Sequence, residues 1–402
     1  MTNHFALGMT KATELTKAGK LAEAMALIQS LLTVRAPNGA QKPDDGVIDG
    51  VFTRLEEGAA RLELKSSVAN SPVAKPTVPG PALPERKVIQ RPRTSLRETL
   101  RGIATGGMPA HAASVRQPVP LPVGARFETR THKGKHGQRE YKLYIPAARN
   151  GENLPLIVML HGCTQSPDDF AVGTGMNALA EQHGFLVAYP AQPTSANANK
   201  CWNWFKPEDQ VRDRGEPVLI AGLTRDILRD HKVDPLRVYI AGLSAGGAAA
   251  MIVATAYPDI FSAVGVHSGL PAGAAQDVPQ AFSAMRNGAS GTALAEAVPT
   301  IVIHGLADTT VHPGNGRAVV KQAVKAFGKL GSTTKRGVSP KGRAYRHTVH
   351  ARRDGPTLVE LWEIDGAGHA WAGGRPAGTF TDPAGPDASA EMVRFFLQHA
   401  KT

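Results

Sequence analysis

From residue 125 onward the sequence predicts an α/β fold, a mainly parallel β-sheet flanked by helices. Two observations carry this. Short, almost fully apolar runs alternate with helical stretches, as expected of strands buried on both faces under covering helices. The run Val238-Tyr-Ile-Ala241 also ends in Gly242-Leu-Ser244-Ala-Gly246 and continues into Ala248, Ala249 and Ala250, the order strand, sharp turn, helix.

The elements follow in order. Residues 125–130 and 139–145 read as a hairpin through the glycines of 134–137. Strands are expected at 156–160, 185–189, 237–241, 263–267, 300–304 and 358–364, because each is a β-rich or apolar run bounded by turn residues. Helices are expected at 176–183, 219–231, 246–256, 314–327 and 389–399. Residues 280–297 read as a small cap over the cleft. The basic, glycine-containing stretch 331–353 reads as a surface excursion.

Composition and charge divide the chain further. The 402 residues suffice for one large domain with appendages, and 42% apolar with 20% charged residues describes a soluble globular protein. No stretch approaches the ~20 apolar residues that a membrane-spanning helix needs. Residues 1–150 hold 23 of the 46 Lys and Arg but 12 of the 34 Asp and Glu, so most of the +12 net charge lies there. The expected domains are a short helical segment at 1–35, a Pro-rich basic linker at 36–122, largely disordered, and the α/β domain at 123–402. In the first, Ala12, Leu15, Leu21, Ala24, Leu27 and Ile28 recur at helical spacing with a break at Gly19, and Ala12, Leu15, Gly19, Glu23 and Ala24 resemble one tetratricopeptide-type helix pair. Such a unit cannot bury its own apolar face, so it docks on its own body, self-associates, or docks on a hydrophobic particle or partner. Ten prolines between 72 and 122 give the linker its extended character. The basic excess lacks any zinc spacing, aromatic ribonucleoprotein motif or helix-turn-helix pattern, so nucleic acid is not the expected partner.

The chemistry gathers at strand ends. A serine on a strand–turn–helix elbow is an exposed nucleophile, but its hydroxyl needs a base, and the base needs an orienting acid. Asp308 follows the strand 300–304, and His369 follows the strand 358–364. The order Ser244, Asp308, His369 is the one an α/β-hydrolase fold would show. His161, His267, His304 and His312 compete as bases. His161 and His304 stand in His-Gly pairs at strand termini, where a ring more often packs or bonds to the backbone. Asp365 and Asp259 compete as acids, although Asp365 lies only four residues from His369. An oxyanion needs two preorganised N–H donors. Ala245, after the nucleophile, supplies one, and Cys163, in the loop after the third strand, supplies the other. No neighbouring base marks Cys163 itself as a nucleophile. No His/Cys/Asp spacing suggests a metal, and no cofactor is expected.

Five motifs, LHGCTQ at 160–165, CWNWF at 201–205, GLSAG at 242–246, HGLAD at 304–308 and GAGHAW at 366–371, resemble the polyhydroxybutyrate-depolymerase family of esterases. That family also takes in feruloyl and acetylxylan esterases. The resemblance covers about residues 125–402. It implies Ser244, Asp308 and His369 as the catalytic set, with Cys163 and Ala245 as the oxyanion hole. It also implies Trp202, Trp204 and His161 at the substrate cleft, and it raises a bridge between Cys163 and Cys201. The expected reaction is hydrolysis of poly- or oligo-(3-hydroxybutyrate) or short-chain hydroxyalkanoate esters through an acyl-enzyme. A feruloyl or acetylxylan-type carbohydrate esterase is the alternative. A granule-associated accessory protein, held to a granule surface or partner by residues 3–34, is a reading of a different class. Residues 1–7 show no Sec signal, so the expected location is cytoplasmic or granule-associated, with extracellular the alternative. A cytoplasmic location would keep Cys163 and Cys201 reduced.

Overall fold

A computed structural model describes residues 121–147 and 153–401. The expected helical segment at 1–35 and all but the end of the expected linker lie outside the described residues.

The chain opens with a hairpin, β1 (Arg126–Gly134) and β2 (Gly137–Ile145), and then β3 (Leu154–Leu160). Helices α1 (Pro167–Thr174) and α2 (Met176–His183) lead to β4 (Leu186–Pro190), and α3 (Gly215–Asp230) leads to β5 (Val233–Leu243). Then come α4 (Ala245–Ala256), β6 (Ala263–His267), α5 (Val278–Asn287), β7 (Thr300–Gly305) and α6 (Gly314–Phe327). A second hairpin, β8 (Gly331–Val338) and β9 (Ala344–Ala351), precedes β10 (Thr357–Ile364). The two-residue strands β11 (Trp371–Ala372) and β12 (Thr381–Asp382) and the helix α7 (Ala388–Phe396) close the chain.

Ten strands form one sheet in the order β1-β2-β4-β3-β5-β6-β7-β10-β9-β8. The six central strands are parallel. The hairpin at each edge is antiparallel. From β3 the chain moves one way to β4 and then returns past β3 to β5, β6 and β7. The crevice at such a reversal of strand order is where open α/β sheets bind ligands.

Period-two alternation fills both faces. Leu156, Val158 and Leu160 of β3 and Val238 and Ile240 of β5 pack in one core with Ile220, Leu223 and Ile227 of α3, Ala248 and Met251 of α4, and Val319 of α6. Ile157 and Met159 of β3 and Tyr239, Ala241 and Leu243 of β5 pack in the opposite core with Phe170 of α1, Met176 of α2 and Met392, Phe395 and Phe396 of α7. Strands buried on both faces cannot alternate polar with apolar, which is why they read as continuous apolar runs.

Helix ends follow local chemistry. Ser166, Asp277 and Asp387 cap α1, α5 and α7 by accepting hydrogen bonds from the N–H groups of Asp169, Gln280 and Ala390.

The expected surface excursion takes a definite form. Residues 331–353 are not a loose excursion. They form an edge hairpin, with Lys335, Arg336 and the exposed Val338 on the outermost strand, and lysine on an edge strand discourages edge-to-edge pairing. Every residue of β8 lies open or half-open, so the strand lacks the apolar face that marks a strand in sequence. Residues 280–297 begin inside α5, which buries Ala281 and Ala284. It is tied to the segment after β7 by bonds from His312 N to Met285 O and from Asn315 Nδ2 to Ala284 O.

The central sheet tolerates no added bulk at Gly265 of β6. A Cβ there would lie 2.8 Å from Met392 Sδ and 3.1 Å from both Ala241 Cβ and Phe396 Cζ. Gly265→Val is expected to cost about 1–3 kcal/mol by overpacking, read as a lower urea midpoint at unchanged slope. A midpoint equal to that of the parent chain would show the β6–α7 contact to be slack.

Candidate active site

Ser244 sits between β5 and α4 with φ 59° and ψ −121°, a left-handed conformation for a non-glycine residue. The backbone holds it there. Ser244 N donates to His267 O at 2.9 Å, and Ala248 N donates to Ser244 O at 3.0 Å. The flanking glycines are sterically required. A Cβ on Gly242 would lie 2.3 Å from the carbonyl carbon and oxygen of Gly246, and one on Gly246 would lie 2.1 Å from Leu160 O. The elbow is thus pressed onto the end of β3, where the loop 161–165 begins.

That loop is strapped down around one amide. Gly162 N donates to Gln165 Oε1, Thr164 N to Asn199 O and Gln165 N to Gly162 O. The Cys163 N–H has no partner among the described residues. Neither does the N–H of Ala245, the first residue of α4, where a helix leaves its N–H groups unpaired. Gln165 Nε2 completes the strap by donating to Asp169 Oδ2 and to Thr379 O and Oγ1. Cys163 is joined by a disulfide to Cys201.

Asp308 and His369 meet as the sequence predicts. His369 Nδ1 lies 2.7 Å from Asp308 Oδ2. The other carboxylate oxygen accepts from the N–H groups of Thr310 and Val311, both at 2.9 Å. Burial pushes the Asp308 carboxyl upward, but hydrogen bonds from His304 and His369 and from the Val311 amide outweigh it and hold the group well below the usual carboxylate range. An ionised carboxylate only accepts, so Nδ1 of His369 carries the proton and Nε2 is left as the basic nitrogen. Neither His369 Nε2 nor Ser244 Oγ has a hydrogen-bond partner among the described residues. Unmade catalytic bonds of this kind are ordinary without substrate.

Three other strand-end histidines do different work. His304 Nε2 donates to Val311 O at 2.9 Å and lies 3.4 Å from Asp308 Oδ2, so it buttresses the acid. His267 stacks on Trp371 at 4.9 Å, and its Nε2 accepts from Ala372 N. It therefore ties the elbow, through its own carbonyl, to the segment that carries His369. His161 is fully buried, with Nδ1 on Gly162 O and Nε2 accepting from Gln192 N.

The substrate-facing assignment of His161, Trp202 and Trp204 is corrected. Trp202 has no exposed surface and donates from Nε1 to His161 O at 3.0 Å, while Trp204 is 5% exposed and packs edge-on against Phe205. These rings lie in the core because the loop carrying them is anchored from below. Buried Glu216 accepts from Asn203 N, Asn203 Nδ2 and Gln192 Nε2, and Gln192 Oε1 accepts from Arg139 Nη1. Burial, and then the neighbouring Asp209 carboxylate, raise the Glu216 carboxyl. The CWNWF motif thus supports the Cys163 loop from behind. Gln165 and Glu216 were not singled out from sequence. Gln165 stood inside a recognised motif, whereas Glu216 stands in the first turn of a helix, where an acid is unremarkable.

Among the described residues, no cluster of three or more His, Cys, Asp or Glu could hold a metal ion, and no helix is long and apolar enough to cross a membrane.

A mainly parallel sheet with a serine on the elbow after β5, a carboxylate after β7 and a histidine after β10 defines an α/β-hydrolase fold. The family model described as "Esterase PHB depolymerase" matches residues 139–343. The chain belongs to that family. It is 36% identical over 231 residues to poly(3-hydroxyalkanoate) depolymerase C of Paucimonas lemoignei, a match spanning 54% of this chain and 55% of the relative. It is 30% identical over 236 residues to feruloyl esterase B of Neurospora crassa, covering 53% of this chain and 77% of that protein. Among solved structures, the acetyl xylan esterase from Aspergillus awamori superposes with a TM-score of 0.50 at 22% identity. That match covers 61% of this chain and 94% of the other. The chain therefore spans about half the length of the depolymerase that it resembles.

Two of the buried histidines, His161 and His267, set an acid limit. Desolvation lowers His161 to about 4 and His267 to about 3, from an ordinary value of 6.5. The unfolded chain then binds more protons than the native one below about pH 6.5. The stability that these rings contribute is full above that pH and is lost as pH falls toward 4. Each ring accounts for up to about 1.4 kcal/mol per pH unit. Urea midpoints measured between pH 7 and pH 4.5 should fall steadily, and a flat profile over that window contradicts the burial of these rings as neutral groups.

Proposed function

We propose that this protein is a serine esterase that hydrolyses carboxylic esters through an acyl-enzyme on Ser244. The observation that carries the reading is the ionised Asp308 paired with His369 Nδ1, which leaves Nε2 uncommitted, in a chain that presents Ser244 on a strand–helix elbow. Ser244 Oγ attacks the ester carbonyl carbon while His369 Nε2 takes the hydroxyl proton. The charge that develops on the carbonyl oxygen is received by the N–H groups of Cys163 and Ala245. Collapse of the tetrahedral species breaks the ester bond, and His369 returns the proton to the departing alcohol. Water, deprotonated by His369, then attacks the acyl-enzyme, releasing the acid and restoring Ser244.

The substrate that we propose is a poly- or oligo-(3-hydroxybutyrate) or other short-chain hydroxyalkanoate ester. The 36% identity to a poly(3-hydroxyalkanoate) depolymerase supports it. The Cys163–Cys201 bridge supports action in an oxidising compartment, because cytosolic thiols are kept reduced.

Ser244→Ala is expected to lower kcat on p-nitrophenyl butyrate by on the order of 10⁴-fold or more, and equal activity in the variant sinks the reading. A hydrolysis panel of polyhydroxybutyrate, its soluble oligomers, methyl ferulate and acetylated xylan should favour the first two. Preference for either of the last two assigns the enzyme to carbohydrate esters instead. Cys201→Ser frees the loop that holds the Cys163 amide. It should lower kcat by roughly 10- to 100-fold with KM little changed, the scale expected for an ångström of misplacement. Unchanged kcat would show that Gln165 and Glu216 hold the loop without the bridge.

A further inference from the structure

Phe380 is an aromatic side chain that packing does not account for. It is 42% exposed, belongs to neither hydrophobic core, and makes no ring contact among the described residues. It also adopts φ 50°, a left-handed conformation that a bulky side chain rarely takes. An exposed aromatic held in a strained backbone conformation is a candidate for ligand contact.

Its position sharpens this. Phe380 O accepts from Trp371 N at 2.7 Å, two residues beyond His369. Its neighbour Thr379 accepts, through both O and Oγ1, from Gln165 Nε2 at 3.2 Å. Gln165 is the residue that straps the loop of Cys163. Phe380 therefore stands where the loop of Cys163 and the segment of His369 are stitched together. The backbone beneath it is firm. Arg375 N donates to Gly173 O, Thr379 N donates to Asp169 Oδ1, and a Cβ on Gly378 would lie 2.2 Å from Gly173 Cα. The ring is presented on a fixed support.

We propose that Phe380 is a specificity-determining residue whose ring packs against the hydrocarbon part of the ester substrate. The inference rests on the esterase reading and deepens it. An apolar ring at this junction rewards each additional buried methylene of the substrate. It contributes nothing to the bond-making step itself. Its removal therefore weakens binding of substrates with more hydrocarbon and spares the smallest ester. The polar atoms around it, on Thr379, Gln165 and Asp169, are engaged with one another, so the recognition it adds is apolar.

The test compares p-nitrophenyl acetate with p-nitrophenyl butyrate and hexanoate on the parent chain, Phe380→Asn and Phe380→Tyr. Asparagine tolerates the left-handed backbone and keeps the carbonyl that receives Trp371 N, so the loop is preserved while the ring is lost. In Phe380→Asn, kcat/KM for butyrate and hexanoate should fall about tenfold, mainly through KM. Acetate should change less than twofold, and Phe380→Tyr should restore the longer esters. A parallel loss on all three esters overturns the inference in favour of a purely structural role, and no loss on any of them overturns it outright. If the parent chain hydrolyses none of these esters, the esterase reading falls with it. If the parent is active and its chain-length preference survives in Phe380→Asn, the inference alone fails.

Discussion

The close approach of Gly246 to the end of β3 is the constraint on which the site depends. With no side chain there, the α4 backbone closes to where a Cβ would stand 2.1 Å from Leu160 O. That approach sets the Ser244 hydroxyl and the Ala245 amide beside the loop carrying the Cys163 amide. It also needs the left-handed turn at Ser244, which Gly242 permits by leaving room for the Gly246 carbonyl. Any side chain at either glycine would move the Ser244 hydroxyl and the Ala245 and Cys163 amides apart together, so they form one mechanical unit rather than three separately placed groups.

Around this unit the protein invests in polar anchoring below the chemistry. Trp202 Nε1 bonds to His161 O, Glu216 gathers Asn203 and Gln192, and Gln165 reaches across to Thr379. Buried polar groups are costly unless satisfied. Hydrogen bonds among these groups return part of that cost as a preferred arrangement of the loops. The buried Asp308 carboxylate shows the same logic, receiving two backbone amides, His369 and His304. Such a group keeps its charge although it is buried.

Much of this was legible in the sequence, for reasons that can be named. The central strands read correctly because burial on both faces leaves only apolar residues. Ser244, Asp308 and His369 stood out because each follows a strand end. The edge hairpin 331–351 was missed because β8 buries neither face, so its residues carry no hydrophobic period. The tryptophans of CWNWF were misplaced for the opposite reason. A motif records that residues matter but not whether they face substrate or support, and Trp202 differs from a cleft aromatic only in its burial. Glu216 left no local trace because its partners lie 13 and 24 residues away in sequence.

Burial also separates His369 from the other strand-end histidines as the one suited to the proposed role of base. His161, His267, His304 and His369 all follow or end strands at the same edge of the sheet, so position alone does not separate them. The side chains of His304 and His369 are 1% and 13% exposed, while His161 and His267 have no exposed surface at all. A base must exchange protons with substrate and water through an open nitrogen. His161 and His267 each accept a backbone N–H on Nε2, and His304 donates from Nε2 to Val311 O. Only His369 among the four combines partial exposure, a carboxylate fixing Nδ1 and an uncommitted Nε2. The other three are not failed candidates. By occupying the strand ends as hydrogen-bonded rings, they fix the loops within which the fourth is left free to react.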